Sequence, residues 1–238
     1  MSLDAGMPKL HSTLHWRFIE LIKKMIRFLK NIVWSVLKVV GLGGSVQLFL
    51  DSALKQYGWF RSFNSRQSVD DQGNPLPWYT YSFIFFLEPR LKPHFEVFEY
   101  GSGNSTRWYG SRVKRITAVE HDFQWVKQIS PGLPSNSDVL PRELGVSYIE
   151  AVNEKKSLYH IIVVDGRNRV KCTAFAVDYL TSDGVLILDN SERDWYQKAK
   201  DLLMARGFKS IDFRGMLPIV AHESCSTVFY RPNNCLGI

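Results

Sequence analysis

The sequence predicts an α/β fold: a doubly wound, mostly parallel seven-stranded sheet with an antiparallel last strand, preceded by a helical N-terminal extension. Three observations predict it. Beyond residue 93, short apolar runs alternate with segments of helical spacing, as repeated β-α units with right-handed crossovers require. The run Ile161-Ile162-Val163-Val164 and the run 184–189 are apolar without alternation, the pattern of strands covered on both faces. The last two runs, 208–213 and 226–231, lie too close together for a crossover helix and so pair antiparallel.

Residues 1–6 precede a second methionine at position 7 and read as a cloning leader. Residues 1–57 form the extension, 58–92 a lid or leader segment, and 93–238 the main domain. From residue 15 to 50 the pattern is helical and basic. Phe18, Leu21, Ile22, Met25, Ile26, Phe28 and Leu29 recur at three- and four-residue spacing, with Arg17, Lys23, Lys24, Arg27 and Lys30 between them. A second apolar stretch, 32–40, is broken by Lys38 and by Gly41-Leu42-Gly43-Gly44. It falls short of the roughly 20 residues a spanning helix needs. Two partners for this segment stay open: an anionic membrane met peripherally, or the protein itself, within one chain or across a homodimer.

Residues 61–78 are rich in turn formers and read as loop, and 80–87 as a short helix. Strands are expected at 95–100, 115–120 and 159–165, with a third strand of the series inside the polar stretch 131–142. Helices are expected at 105–111, 123–129 and 170–180. A helix over 194–206 stops at Gly207.

Hydrophobic residues make up 45% of the chain and charged residues 22%, enough apolar material for a sizeable core. The net charge of +7 concentrates near the N-terminus, so it is a local feature and gives no reason to expect nucleic acid as substrate. Three cysteines, with no Cys-x-x-Cys pair or histidine cluster, exclude a disulfide scaffold or zinc ribbon and suit a reducing cytoplasm.

The chemistry concentrates at Glu99-Tyr100-Gly101-Ser102-Gly103-Asn104-Ser105-Thr106, a strand running through a glycine turn into a helix. Gly101 and Gly103 permit a tight turn and close backbone approach to a ligand, and the helix start offers free N–H groups. Glu120 ends the next strand, 19 residues past Gly101, the spacing of a carboxylate that accepts ribose hydroxyls. A pyrophosphate site would have a third glycine where Thr106 stands, and Glu99 would repel it. A carboxylate at Glu99 suits the ammonium of S-adenosylmethionine instead.

Glu-x-Gly-x-Gly followed by an acid after strand two resembles the class I S-adenosylmethionine-dependent methyltransferases, a Rossmann-like fold. The resemblance spans roughly residues 93–231, and the 58–81 segment resembles the leader of uncharacterised bacterial members. It implies a methyl-transfer enzyme whose cofactor meets Glu99, Gly101, Ser102, Gly103, Asn104, Ser105, Glu120, His121 and Asp165, with Asp122 near the adenine. Small-molecule O-methylation is the expected reaction. An NAD-dependent oxidoreductase and a non-catalytic membrane-docked module are the alternatives.

Asp165 with Asp189-Asn190 at later strand ends resembles the magnesium-dependent catechol-type O-methyltransferases, where three such oxygens hold Mg²⁺. The lysine those enzymes carry a few residues past the first aspartate is missing here, where Gly166-Arg167-Asn168-Arg169 follows. Asp165, His121 and Arg167 are the catalytic candidates, with Arg167 and Arg169 suited to clamp an anionic acceptor. Trp78, Tyr79 and Tyr81 either close over the ligands or fill the core.

Overall fold

A computed structural model describes residues 10–238, with side chains from residue 15. The leader expected at 1–6 lies outside the described residues. Backbone contacts divide the chain into a unit ending at Ala53 and a unit Leu54–Ile238. In the first, helix α1 (Leu10–Val39) turns at Gly41, φ +75°, into α2 (Gly43–Leu50). Among the described residues, no helix is long and apolar enough to cross a membrane.

Helix α3 (Ala53–Gln56) is followed by α4 (Trp59–Ser65) and α5 (Tyr81–Leu87). The β-α series then runs β1 (Glu96–Tyr100), α6 (Asn104–Gly110), β2 (Arg115–Glu120), α7 (Phe123–Ile129) and β3 (Ser137–Pro141). It continues through α8 (Val146–Ile149), β4 (Tyr159–Val164), α9 (Arg169–Ala176), β5 (Leu180–Asp189) and α10 (Gln197–Ala205) to β6 (Lys209–Met216) and β7 (Glu223–Tyr230).

The sheet order is β3-β2-β1-β4-β5-β7-β6. Strands β1 to β5 pair parallel, and β7 runs antiparallel to both β5 and β6. Alternation along each strand sorts the core into two layers. Phe98, Tyr100, Ile162, Val164, Leu186 and Leu188 pack with Tyr148, Cys172 and Leu203. Val97, Ile161, Val163, Val185 and Ile187 pack on the other face with Ile84, Leu87, Trp108 and Tyr109. Both faces are therefore covered, which is why the central strands read as unbroken apolar runs.

The loop expected at 61–78 begins as helix α4. Gly58, φ +83°, turns the chain so tightly that a Cβ there would lie 2.3 Å from the Asp70 carbonyl carbon. Buried Ser62 then donates to the Val69 carbonyl at 2.7 Å and accepts from its N–H at 3.0 Å, stitching helix to loop. The helix expected at 170–180 stops earlier, and β5 starts at Leu180 rather than at 184.

Candidate active site

Parallel strands share one carboxyl edge, so Tyr100, Glu120, Val164 and Asp189 all end there. That edge opens into a cleft of about 650 Å³. Glu99, Gly101, Ser102, Ser105, Glu120, His121 and Asp165 line it, with Arg167, Lys171, Arg193, Trp195 and Tyr196 also contributing.

The two glycines of the turn are not equivalent. Gly101, φ +99°, donates its N–H to the Val119 carbonyl at 2.9 Å. Gly103 is extended, and a Cβ there would make ordinary contact with Trp125 at 3.8 Å. The tighter constraint falls on Gly166, just after Asp165. A Cβ on Gly166 would stand 2.0 Å from the Tyr148 hydroxyl and 2.9 Å from the Gly101 nitrogen. Sequence reasoning passed over this glycine; a glycine immediately after a strand-end acid was the available signal.

Glu99 points from β1 toward α6 and is 1% exposed. The Thr106 hydroxyl donates to its Oε2 at 2.6 Å and accepts from the Gly103 N–H at 3.0 Å. Thr106 thus fills the position of the third glycine and fastens the acid to the turn. Burial pushes the Glu99 pKa up to about 8, against the hydrogen bonds from Ser105 and Thr106 and with the help of the charges on Asp165 and Glu120.

Glu120 is also buried. Its Oε1 accepts from the His121 and Asp122 N–H groups at 2.7 and 3.0 Å and lies 2.8 Å from His121 Nδ1. Its Oε2 accepts from the Ser102 hydroxyl at 3.1 Å. Asp122 caps α7, accepting from the Gln124 and Trp125 N–H groups at 2.9 and 3.0 Å. Trp125 reaches back to donate to the Ser102 carbonyl at 2.9 Å. Asn104 turns away from the main cleft: its amide donates to the Ser68 carbonyl at 2.8 Å and its oxygen accepts from Arg107 at 3.0 Å.

At the ends of β4 and β5 the structure holds a surprise. Arg169, 7% exposed, is not a surface clamp. Its guanidinium donates to the Asp165 carbonyl and Oδ1 at 2.6 and 2.9 Å, to the Gly166 carbonyl at 3.0 Å, and to the Asp189 carbonyl. It ties the two strand ends together. Burial raises the pKa of both Asp165 and Asp189; Arg169 opposes the rise at each, and the charge of Asp165 adds to that of Asp189.

These residues do not fit the magnesium ion expected at Asp165, Asp189 and Asn190. A guanidinium already occupies Asp165, the Asp189 carboxyl accepts from Ser226 at 2.6 Å, and the Asn190 amide donates to Ser224 at 3.1 Å. No group of three acidic, histidine or cysteine side chains suited to a metal occurs among the described residues.

Tyr79 and Tyr81 are core residues, while Trp78 is exposed. Trp78 lines a second cleft of about 560 Å³, which shares Ser102, Ser105 and Asp165 with the first and includes Gly103 and Asn104.

No family model and no curated protein matches this sequence. Solved structures match its fold. Precorrin-6y C5,15-methyltransferase from Geobacter metallireducens GS-15 is 14% identical, over 63% of this chain and 87% of that one, with a TM-score of 0.50. A methyltransferase from Pyrococcus furiosus is 17% identical, over 64% and 82%, with a TM-score of 0.47. The first likeness establishes a shared fold with a methyltransferase.

Proposed function

We propose that the protein is an S-adenosylmethionine-dependent methyltransferase acting on a small anionic molecule, by O-methylation. One observation carries the reading: two buried carboxylates, Glu99 and Glu120, end adjacent parallel strands and face one cleft across the Gly101 turn. Glu120 is placed for the ribose diol and Glu99 for the ammonium, whose charge would draw off the Glu99 proton and make the lining anionic for a cationic ligand. The dinucleotide alternative is disfavoured by Thr106, whose hydroxyl holds Glu99 where a pyrophosphate would pass. Bound here, S-adenosylmethionine supplies a sulfonium methyl group for in-line displacement.

The chain's own residues do the rest. His121 and the backbone at 121–122 hold Glu120 in orientation. Arg169 and Gly166 fix the Asp165 loop against the Gly101 turn. Asp165, which is partly open to the cleft and has a raised pKa, accepts the acceptor's hydroxyl proton. Arg167, Lys171 and Arg193 give the cleft cationic side chains, which suit an acceptor carrying a carboxylate or phosphate.

Calorimetry tests the reading. S-adenosylhomocysteine should bind with micromolar affinity and NADH should not. Glu120→Gln should weaken S-adenosylhomocysteine roughly ten- to hundredfold, the worth of charge-assisted hydrogen bonds to two hydroxyls. Binding of NADH without S-adenosylhomocysteine would overturn the assignment.

A further inference from the structure

Helix α1 carries a face that the methyl-transfer reading does not use. On a helix of 3.6 residues per turn, Phe18, Leu21, Ile22, Met25, Ile26, Phe28, Leu29, Ile32, Val33 and Val36 project onto roughly half of the circumference. Most of them are exposed: Phe18 66%, Leu21 70%, Phe28 65%. Arg17, Lys23, Lys24, Arg27, Lys30 and Lys38 fall on the complementary arc or at its margins, all exposed. Glu20 is the one acid between residues 15 and 50, and it pairs with Lys23 at 3.5 Å.

We propose that α1 lies in the plane of an anionic lipid surface, its apolar arc in the acyl boundary and its lysines and arginines among the headgroups. Charge decides the occupant. A second copy offers these six cations one acid, Glu20, whereas an anionic bilayer attracts those that flank the apolar arc. The long stems of Lys24 and Lys30, which flank the apolar arc, can lie along the helix while their ammonium groups reach the headgroups. The helix is not apolar enough to span the bilayer, so it docks on one leaflet.

The full chain should co-sediment with vesicles of phosphatidylcholine containing 30% phosphatidylserine, and far less with pure phosphatidylcholine. Lys23→Gln/Lys24→Gln/Arg27→Gln should lower partitioning to the anionic vesicles on the order of 100-fold, at about fivefold per near-surface cation. Leu21→Gln/Met25→Gln/Phe28→Gln should abolish binding to either vesicle while leaving S-adenosylhomocysteine affinity unchanged. Equal binding to both vesicle types, or none by the folded wild-type chain, would overturn the proposal. So would a dimer in sedimentation equilibrium that the apolar variant dissociates, if no vesicle binding accompanies it; the face would then be a contact between copies.

Discussion

Replacing Glu99 by glutamine should remove a loss of stability that the wild type suffers as pH rises. The acid titrates near 4.5 in an unfolded chain and near 8 in the fold, because burial disfavours its charge. Between those values the folded protein keeps a proton that the unfolded chain has released. Stability from this group is therefore full below pH 4.5 and is lost as pH rises toward 8. At about 1.4 kcal/mol for each pH unit, the loss reaches about 4 kcal/mol between pH 5 and 8. Glutamine has the same size, does not titrate, and still accepts from the Thr106 hydroxyl. Urea unfolding at pH 5, 6, 7 and 8 should show Glu99→Gln gaining on the wild type by about that amount, because titrations common to both cancel in the difference. Parallel curves, with the difference constant to about 1 kcal/mol, would refute the buried, protonated acid. A second reading comes from calorimetry at pH 7 in buffers of different ionisation enthalpy. A ligand ammonium beside Glu99 should expel its proton in the wild type and none in the variant.

Two further substitutions test the turn. Thr106→Val keeps the volume but strands the buried Gly103 N–H and leaves the buried Glu99 carboxyl with the Ser105 hydroxyl alone, and should cost about 2–3 kcal/mol in chemical denaturation. Thr106→Ser should recover most of this, and a loss below about 0.5 kcal/mol would show that the hydroxyl does not hold the acid. Gly166→Ala would place a methyl 2.0 Å from the Tyr148 hydroxyl and should cost more than about 3 kcal/mol, visible as a lowered Tm. Adding Tyr148→Phe should recover part of it, since the Gly101 nitrogen still stands 2.9 Å away; full recovery would locate the whole clash at the tyrosine.

The sheet was legible because burial on both faces leaves an unmistakable mark: Ile161 through Val164 can belong to little else. That Glu99 and Glu120 share one cleft was legible because a strand end, a glycine turn and a fixed spacing agree. What stayed hidden depends on contacts distant in sequence. An arginine in the first turn of a helix reads as solvated, and nothing local to Arg169 says that the Asp189 carbonyl, twenty residues on, will be waiting for it. Asn104 is expected at the cofactor from its place in the turn, and the Ser68 carbonyl, brought over from the leader, takes its amide. The magnesium set failed for the same reason. Its two carboxylates already accept from Arg169 and Ser226, and the Asn190 amide nitrogen donates to Ser224.

The strand order also has a meaning in time. During synthesis β6 emerges before β7, yet β7 occupies the place between β5 and β6. Until β7 is made, β5 presents an open edge and β6 lacks the strand it pairs with, so both pairings wait for β7. The β5 edge contains Leu186, Ile187 and Leu188, which pair with Phe229, Val228 and Thr227. A ribosome stalled ahead of residue 223 would leave that apolar edge unpaired, an aggregation hazard that lasts from β5 until β7.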